Sequence, residues 1–73
     1  MAKHKSFLTM PHAKGWAVKR EGSNKVASVY GTQMEAWNET KRIARGTGGE
    51  ALLQDKDGKI KTRNTYIDPD PKS

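Results

Sequence analysis

The sequence predicts an α+β fold: a single small two-layer domain, with one helix packed on one face of an antiparallel sheet and elements in the order β-β-β-α-β-β. Three observations predict it. Short segments of alternating apolar and polar residues, punctuated by Gly, Pro and Asn, occupy both ends of the chain. One stretch from Thr32 to about Arg45 carries a helical apolar period behind a capping signal. A length of 73 residues, with 33% hydrophobic composition, allows one domain and one modest core.

The elements follow in order. His4 to Met10, "HKSFLTM", reads as a first strand that stops at Pro11, with "PHAKG" as a turn. Trp16 to Glu21 is a second strand, with Trp16 and Val18 on one face and Ala17 and Lys19 on the other. "EGSN" turns into a third strand, Lys25 to Tyr30. There Ala27 and Val29 are expected inward, and Val26, Ser28 and Tyr30 outward.

"TQME" is a capping box, in which the Thr32 hydroxyl accepts from the Glu35 N–H and the Glu35 carboxylate returns to the Thr32 N–H. Ala36, Trp37, Thr40, Ile43 and Ala44 make one helical stripe, and Gly46 or Gly48 in "GTGG" ends the helix. Glu50 to Gln54 is a fourth strand and "DKDG" a tight turn. Lys59 to Arg63 is a fifth strand, with Ile60 and Thr62 facing one way and Lys59, Lys61 and Arg63 the other. Residues 1–67 are read as the domain and 68–73, "DPDPKS", as a flexible tail. The core is expected to use Trp16, Val18, Val29, Trp37, Ile43, Leu52, Leu53 and Ile60.

Composition narrows the function. The chain has no cysteine, which excludes a disulfide scaffold, a zinc ribbon and a thiol nucleophile, and fits a reducing, cytoplasmic setting. No apolar run is long enough to span a membrane, and no apolar segment follows the basic N-terminus to make an export signal. A net charge of +6 suits nucleic acid or an acidic protein as partner, and equally suits plain solubility.

"GWAVKREG", "SVYGTQMEAWNETKRIAR", "GGEALLQDKDGKI" and the late "YIDPDP" resemble the domain of unknown function 2188 family of small bacterial proteins. The blocks come in the family's order over about Pro11 to Lys72. The resemblance implies the fold and a bacterial or phage-related origin, and it transfers no catalytic residue. One departure is Trp37, where a smaller aliphatic residue is expected.

No catalytic constellation emerges, no cofactor is implied, and an enzyme is the least favoured class. "DKDG" resembles the start of a calcium loop but lacks the later glutamate, so it reads as a turn. Asp68 and Asp70, split by Pro69, do not suit paired acid–base work. "GTGGE" follows a helix rather than opening one, so it does not read as a phosphate loop. His4 and His12 are too few for an internal metal site. Removal of Met1 would leave Ala2-Lys3-His4, a nitrogen set for Cu(II) or Ni(II), which chance alone explains.

The candidate binding residues are cations and one aromatic: Lys19, Arg20, Lys25, Tyr30, Lys59, Lys61 and Arg63, with Lys41, Arg42 and Arg45 as a second basic patch. Lysines and arginine at alternate positions of a strand lie about 6–7 Å apart, near the phosphate spacing of nucleic acid. The equally physical alternative is that lysines on an edge strand prevent aggregation. Two readings follow. One is a nucleic-acid-binding module using the open sheet face. The other is a small inhibitor or adaptor, phage-encoded or toxin-neutralising, on an acidic protein surface. Homodimerisation through an exposed edge is also expected to be open to such a domain.

Overall fold

A computed structural model describes residues 5–66. Six elements occupy them: β1 Ser6–His12, β2 Gly15–Arg20, β3 Val26–Tyr30, α1 Gln33–Thr47, β4 Glu50–Gln54 and β5 Ile60–Thr65. The tail 68–73, with Asp68 and Asp70, and the Ala2-Lys3-His4 sequence lie outside the described residues.

The helix forms as its local signals dictate. Thr32 is extended, and its hydroxyl accepts the Glu35 N–H at 3.2 Å. The second half of the box differs from expectation: the Glu35 carboxylate accepts from the Thr32 hydroxyl, also at 3.2 Å, rather than from the Thr32 N–H. A hydroxyl can both accept and donate, so one side chain closes the loop. At the other end Gly48 adopts a left-handed conformation, φ +76°, and its N–H reaches the Ala44 carbonyl. The helix thus runs two residues past Arg45.

The five strands form one sheet in the order β3-β2-β1-β4-β5. It is antiparallel except at its centre, where β1 and β4 run parallel. This departs from the wholly antiparallel expectation. The helix carries the chain from the β3 edge back across the sheet, so β4 enters beside β1 in the same direction. The junction is tight: a Cβ on Gly49 would sit 2.0 Å from the Lys5 carbonyl oxygen. That carbonyl accepts the Glu50 N–H at 2.8 Å, so only glycine fits before it.

β1 also passes through Pro11, where a strand end was expected, with Pro11 opposite Trp16. The β4 ladder stops at Thr9, so no β4 partner requires the N–H that proline lacks.

The core lies between α1 and the inner strands. Phe7, Trp37, Ala44, Ala51 and Leu53 cluster there, with Ile43 and Tyr66 packed against them. The predicted helical stripe holds: Ala36, Trp37, Thr40 and Ala44 are buried. Trp37, the departure from the family pattern, is only 8% exposed. Trp16 is half-buried, while Val29 and Ile60, expected inside, are exposed.

One polar contact sits at the helix–sheet junction. The fully buried Thr9 hydroxyl donates to Thr40 Oγ1 at 2.6 Å, and Thr40 donates to the Ala36 carbonyl at 2.8 Å. The two residues are not equivalent. Thr40→Val strands the Thr9 hydroxyl without its acceptor and is expected to cost about 1–3 kcal/mol. Thr9→Val leaves the Thr40 hydroxyl bonded and is expected to cost about 1 kcal/mol or less. Urea unfolding of the two variants checks the order.

Candidate functional site

Register fixes which side chains reach the uncovered face of the sheet. Phe7 belongs to the core beneath the helix, and Thr9 bonds to Thr40 of α1, so β1 points these residues at α1 and Leu8 and Met10 away from it. Opposed residues share a face. One row of the open face therefore reads Val26–Lys19–Leu8–Leu52–Arg63, from β3 to β5. A second reads Val29–Ala17–Met10, and a third Ser6–Glu50–Thr65.

Both outer strands carry a one-residue bulge, and these change the predicted faces. Val18 pairs with Ser28 but Lys19 with Val26, leaving Ala27 as the extra residue. Ser28 and Tyr30 consequently face the helix side, and Val29 the open side, the reverse of the expected alternation. On β5, Leu53 pairs with Thr62 but Gln54 with Ile60, leaving Lys61 as the extra residue. The expected run of three cations on one face is broken. Arg63 stays on the open face, Lys61 borders a hollow beside the helix N-terminus, and Lys59 belongs to the turn before β5.

The open face is therefore apolar at its centre and cationic at two points. Val26 and Val29 are 38% and 39% exposed and Ile60 45%, Leu8 and Met10 are half-buried, and Leu52 and Ala17 are buried. Lys19 and Arg63 flank the two leucines, about 14 Å apart by strand spacing. Glu50 brings one carboxylate to this face, where it accepts from Ser6 Oγ and Thr65 Oγ1, each at 3.4 Å. Among the described residues no aromatic lies on it: Phe7, Trp16 and Tyr30 share the helix side, and Trp37 and Tyr66 pack in or against the core.

The remaining candidates lie elsewhere. Arg20 opposes Phe7 and is exposed on the helix side, and Lys25 is exposed just before β3. In the helical patch, Arg42 binds Glu39 through Nε at 2.8 Å and through a second contact from Nη2. This hydrogen bond holds the Glu39 carboxyl below its ordinary value. Lys41 Nζ lies 5.4 Å from the centre of the Trp37 ring, covering it, and Arg45 is exposed in the last turn.

The hollow, about 510 Å³, is lined by Trp16, Gln33, Asp55, Lys56, Asp57 and Lys61. Its Asp55 carboxylate is already employed: Oδ1 accepts the N–H groups of Asp57 at 2.8 Å and Lys59 at 3.1 Å. The hollow therefore gathers an indole, two lysines and two carboxylates, of which that of Asp55 is held by backbone N–H groups. Among the described residues no group of three His, Cys, Asp or Glu is placed to hold a metal ion.

Residues 7–66 match the bacterial family DUF2188, described as an uncharacterized protein conserved in bacteria. The chain belongs to this family. It is 35% identical over 60 residues to the uncharacterized protein YdaT of Bacillus subtilis (strain 168). The matched segment is 82% of this chain and 40% of that relative. No solved structure matches the chain. No helix among the described residues is long and apolar enough to cross a membrane.

The Asp55 turn has a pH signature. Backbone N–H donors, first from Lys59 and then from Asp57, hold its carboxyl below the ordinary value, with Lys61 adding to the effect. A carboxyl depressed on folding stabilises above its unfolded pKa, and the contribution is lost as pH falls through the folded value. Wild type is therefore expected to be more stable than Asp55→Ala at neutral pH. The charge-dependent part of that gap closes below about pH 4. Paired melts across the acid range, with a carbon-detected titration of Asp55, check this.

Proposed function

We propose that this domain is a non-enzymatic basic binding module of the bacterial cytoplasm, and that it docks through its open sheet face on an acidic protein surface. The supporting observation is the row Val26–Lys19–Leu8–Leu52–Arg63. Its apolar centre, with a cation at either side, complements an apolar patch rimmed by carboxylates. An inhibitor or adaptor role, including neutralisation of a toxin, falls within this reading. The cytoplasmic setting is supported by the absence of cysteine.

Nucleic acid is the second reading, favoured by the net charge of +6. On this face the contacts would be Lys19 and Arg63 to phosphate, without an aromatic for bases to stack on. That arrangement supports weak, sequence-independent binding better than recognition.

Retention of proteins from a nuclease-treated bacterial lysate, on wild type and on the Lys19→Glu/Arg63→Glu variant, tests the two together. An acidic protein held by wild type and lost by the variant is the expected result. Retention that nuclease abolishes, with an affinity for random DNA or RNA falling by about one logarithmic unit per unit of log salt for each phosphate contact, would transfer the function to nucleic acid. Retention indifferent to both treatments would remove the open face from consideration.

A further inference from the structure

The open face has cations but no ring beside them; the hollow at the start of α1 has both. Trp16 stands at one end of β2, between Pro11 and Tyr30 on the helix side, and is half-buried. Its side chain borders the hollow, which Lys56 of the β4–β5 turn and Lys61 of β5 also line. The volume of about 510 Å³ is that of a small-molecule site.

The walls are held in place. The Asp55 N–H donates to the Lys59 carbonyl at 2.8 Å and the Gly58 N–H to the Asp55 carbonyl at 3.0 Å, which closes the turn. Gln33 Nε2 donates to the Gln54 carbonyl at 3.4 Å and ties the helix start to the end of β4. The charges in the hollow are not matched to one another. Among the described residues the close ion pair joins Arg42 to Glu39, so Lys56, Lys61 and Asp57 each remain free to meet a ligand.

We propose that this hollow binds a nucleoside phosphate with an amino-bearing base: the base stacks on Trp16, its N–H donors meet the Asp57 carboxylate, and Lys56 and Lys61 hold the phosphate. Each part answers one property of the lining. An indole face takes a base by stacking. An ionised carboxylate only accepts, so it selects an edge that donates; guanine offers adjacent N–H groups where uracil offers a single one. Lysine takes phosphate as a point charge. A bare inorganic anion uses the lysines alone and faces two carboxylates. Lys56, Asp57 and Lys61 are exposed, so the ligand keeps part of its water and binds weakly, with a dissociation constant on the order of 1 mM. A free nucleotide and one unit of a single strand offer the same chemistry.

The two tryptophans give two indole N–H signals in a nitrogen–proton correlation spectrum, and Trp16→Phe identifies the one from Trp16. Titration with guanosine monophosphate is expected to move that signal and the Asp57 and Lys61 amides to saturation, while the signal of the buried Trp37 stays in place. Uridine monophosphate binds about fivefold more weakly, and Asp57→Ala removes this preference. Lys61→Glu weakens the guanine nucleotide about tenfold. The side chains of Asp57 and Lys61 take no part in the described hydrogen bonds, so both variants keep the fold. A Trp16 signal unmoved by the nucleotide, a shift that inorganic phosphate reproduces, or an affinity indifferent to Lys61→Glu would overturn the proposal. A single-stranded decamer of mixed sequence, followed by the same signal, identifies the source. Binding well above that of the monophosphate makes the ligand a unit of a strand, and equal binding makes it a free nucleotide. Lys19 and Arg63 do not line the hollow, so none of these outcomes decides the docking face.

Discussion

The architecture depends on how closely α1 can approach the middle of the sheet. Ala36, Thr40 and Ala44 lie one turn apart on the helix, and all three are fully buried. Side chains this small let the helix axis settle low over β1, and the Thr9–Thr40 contact of 2.6 Å measures how low. Trp37 and Ile43 then reach sideways to close the core with Phe7 and Leu53. A bulky residue at position 40 would lift the helix and open the layer between them.

The division of the molecule into faces follows from that seat. One helix is about 10–12 Å across, while five strands make a layer about 19 Å wide. The helix covers the inner strands fully and the outer ones poorly. Ser28, Thr62 and Asn64, at half-covered positions on the helix side of the outer strands, are accordingly polar. The chain has only enough bulk for one packed layer, so Leu8, Met10, Val26, Val29 and Ile60 meet solvent wholly or in part. An apolar stretch on an otherwise basic domain is the feature in most need of a partner.

What the sequence made legible was local. The capping threonine, the helical stripe, the glycine stop and the Asp55 turn depend on residues within about four positions of one another, and each stands where its pattern placed it. Lys19 and Arg63 were also correctly assigned to the open face. The errors arose where a residue's direction is set by a distant neighbour. Ala27 and Lys61 are bulged only because Val18–Lys19 and Leu53–Gln54 step past them, and nothing in "KVASVY" or "KIKTR" signals the step. A single extra residue reverses every side chain beyond it, which moved Tyr30 under the helix side and Val29 away from it. Strand order was illegible for the same reason: no local pattern announces that β4 lies beside β1.

That parallel pair at the centre has a consequence in time. β1 is made first, yet its second neighbour begins 44 residues later, as the Ser6–Glu50 contact records. The hairpins of β1, β2 and β3 can close early by short loops, whereas β4 must bring its ends together over most of the chain. Until it does, the flank of β1 bearing Phe7 and Leu8 stands open in a growing polypeptide. The strand that finishes at the centre of the sheet is therefore, during synthesis, liable to join a stranger.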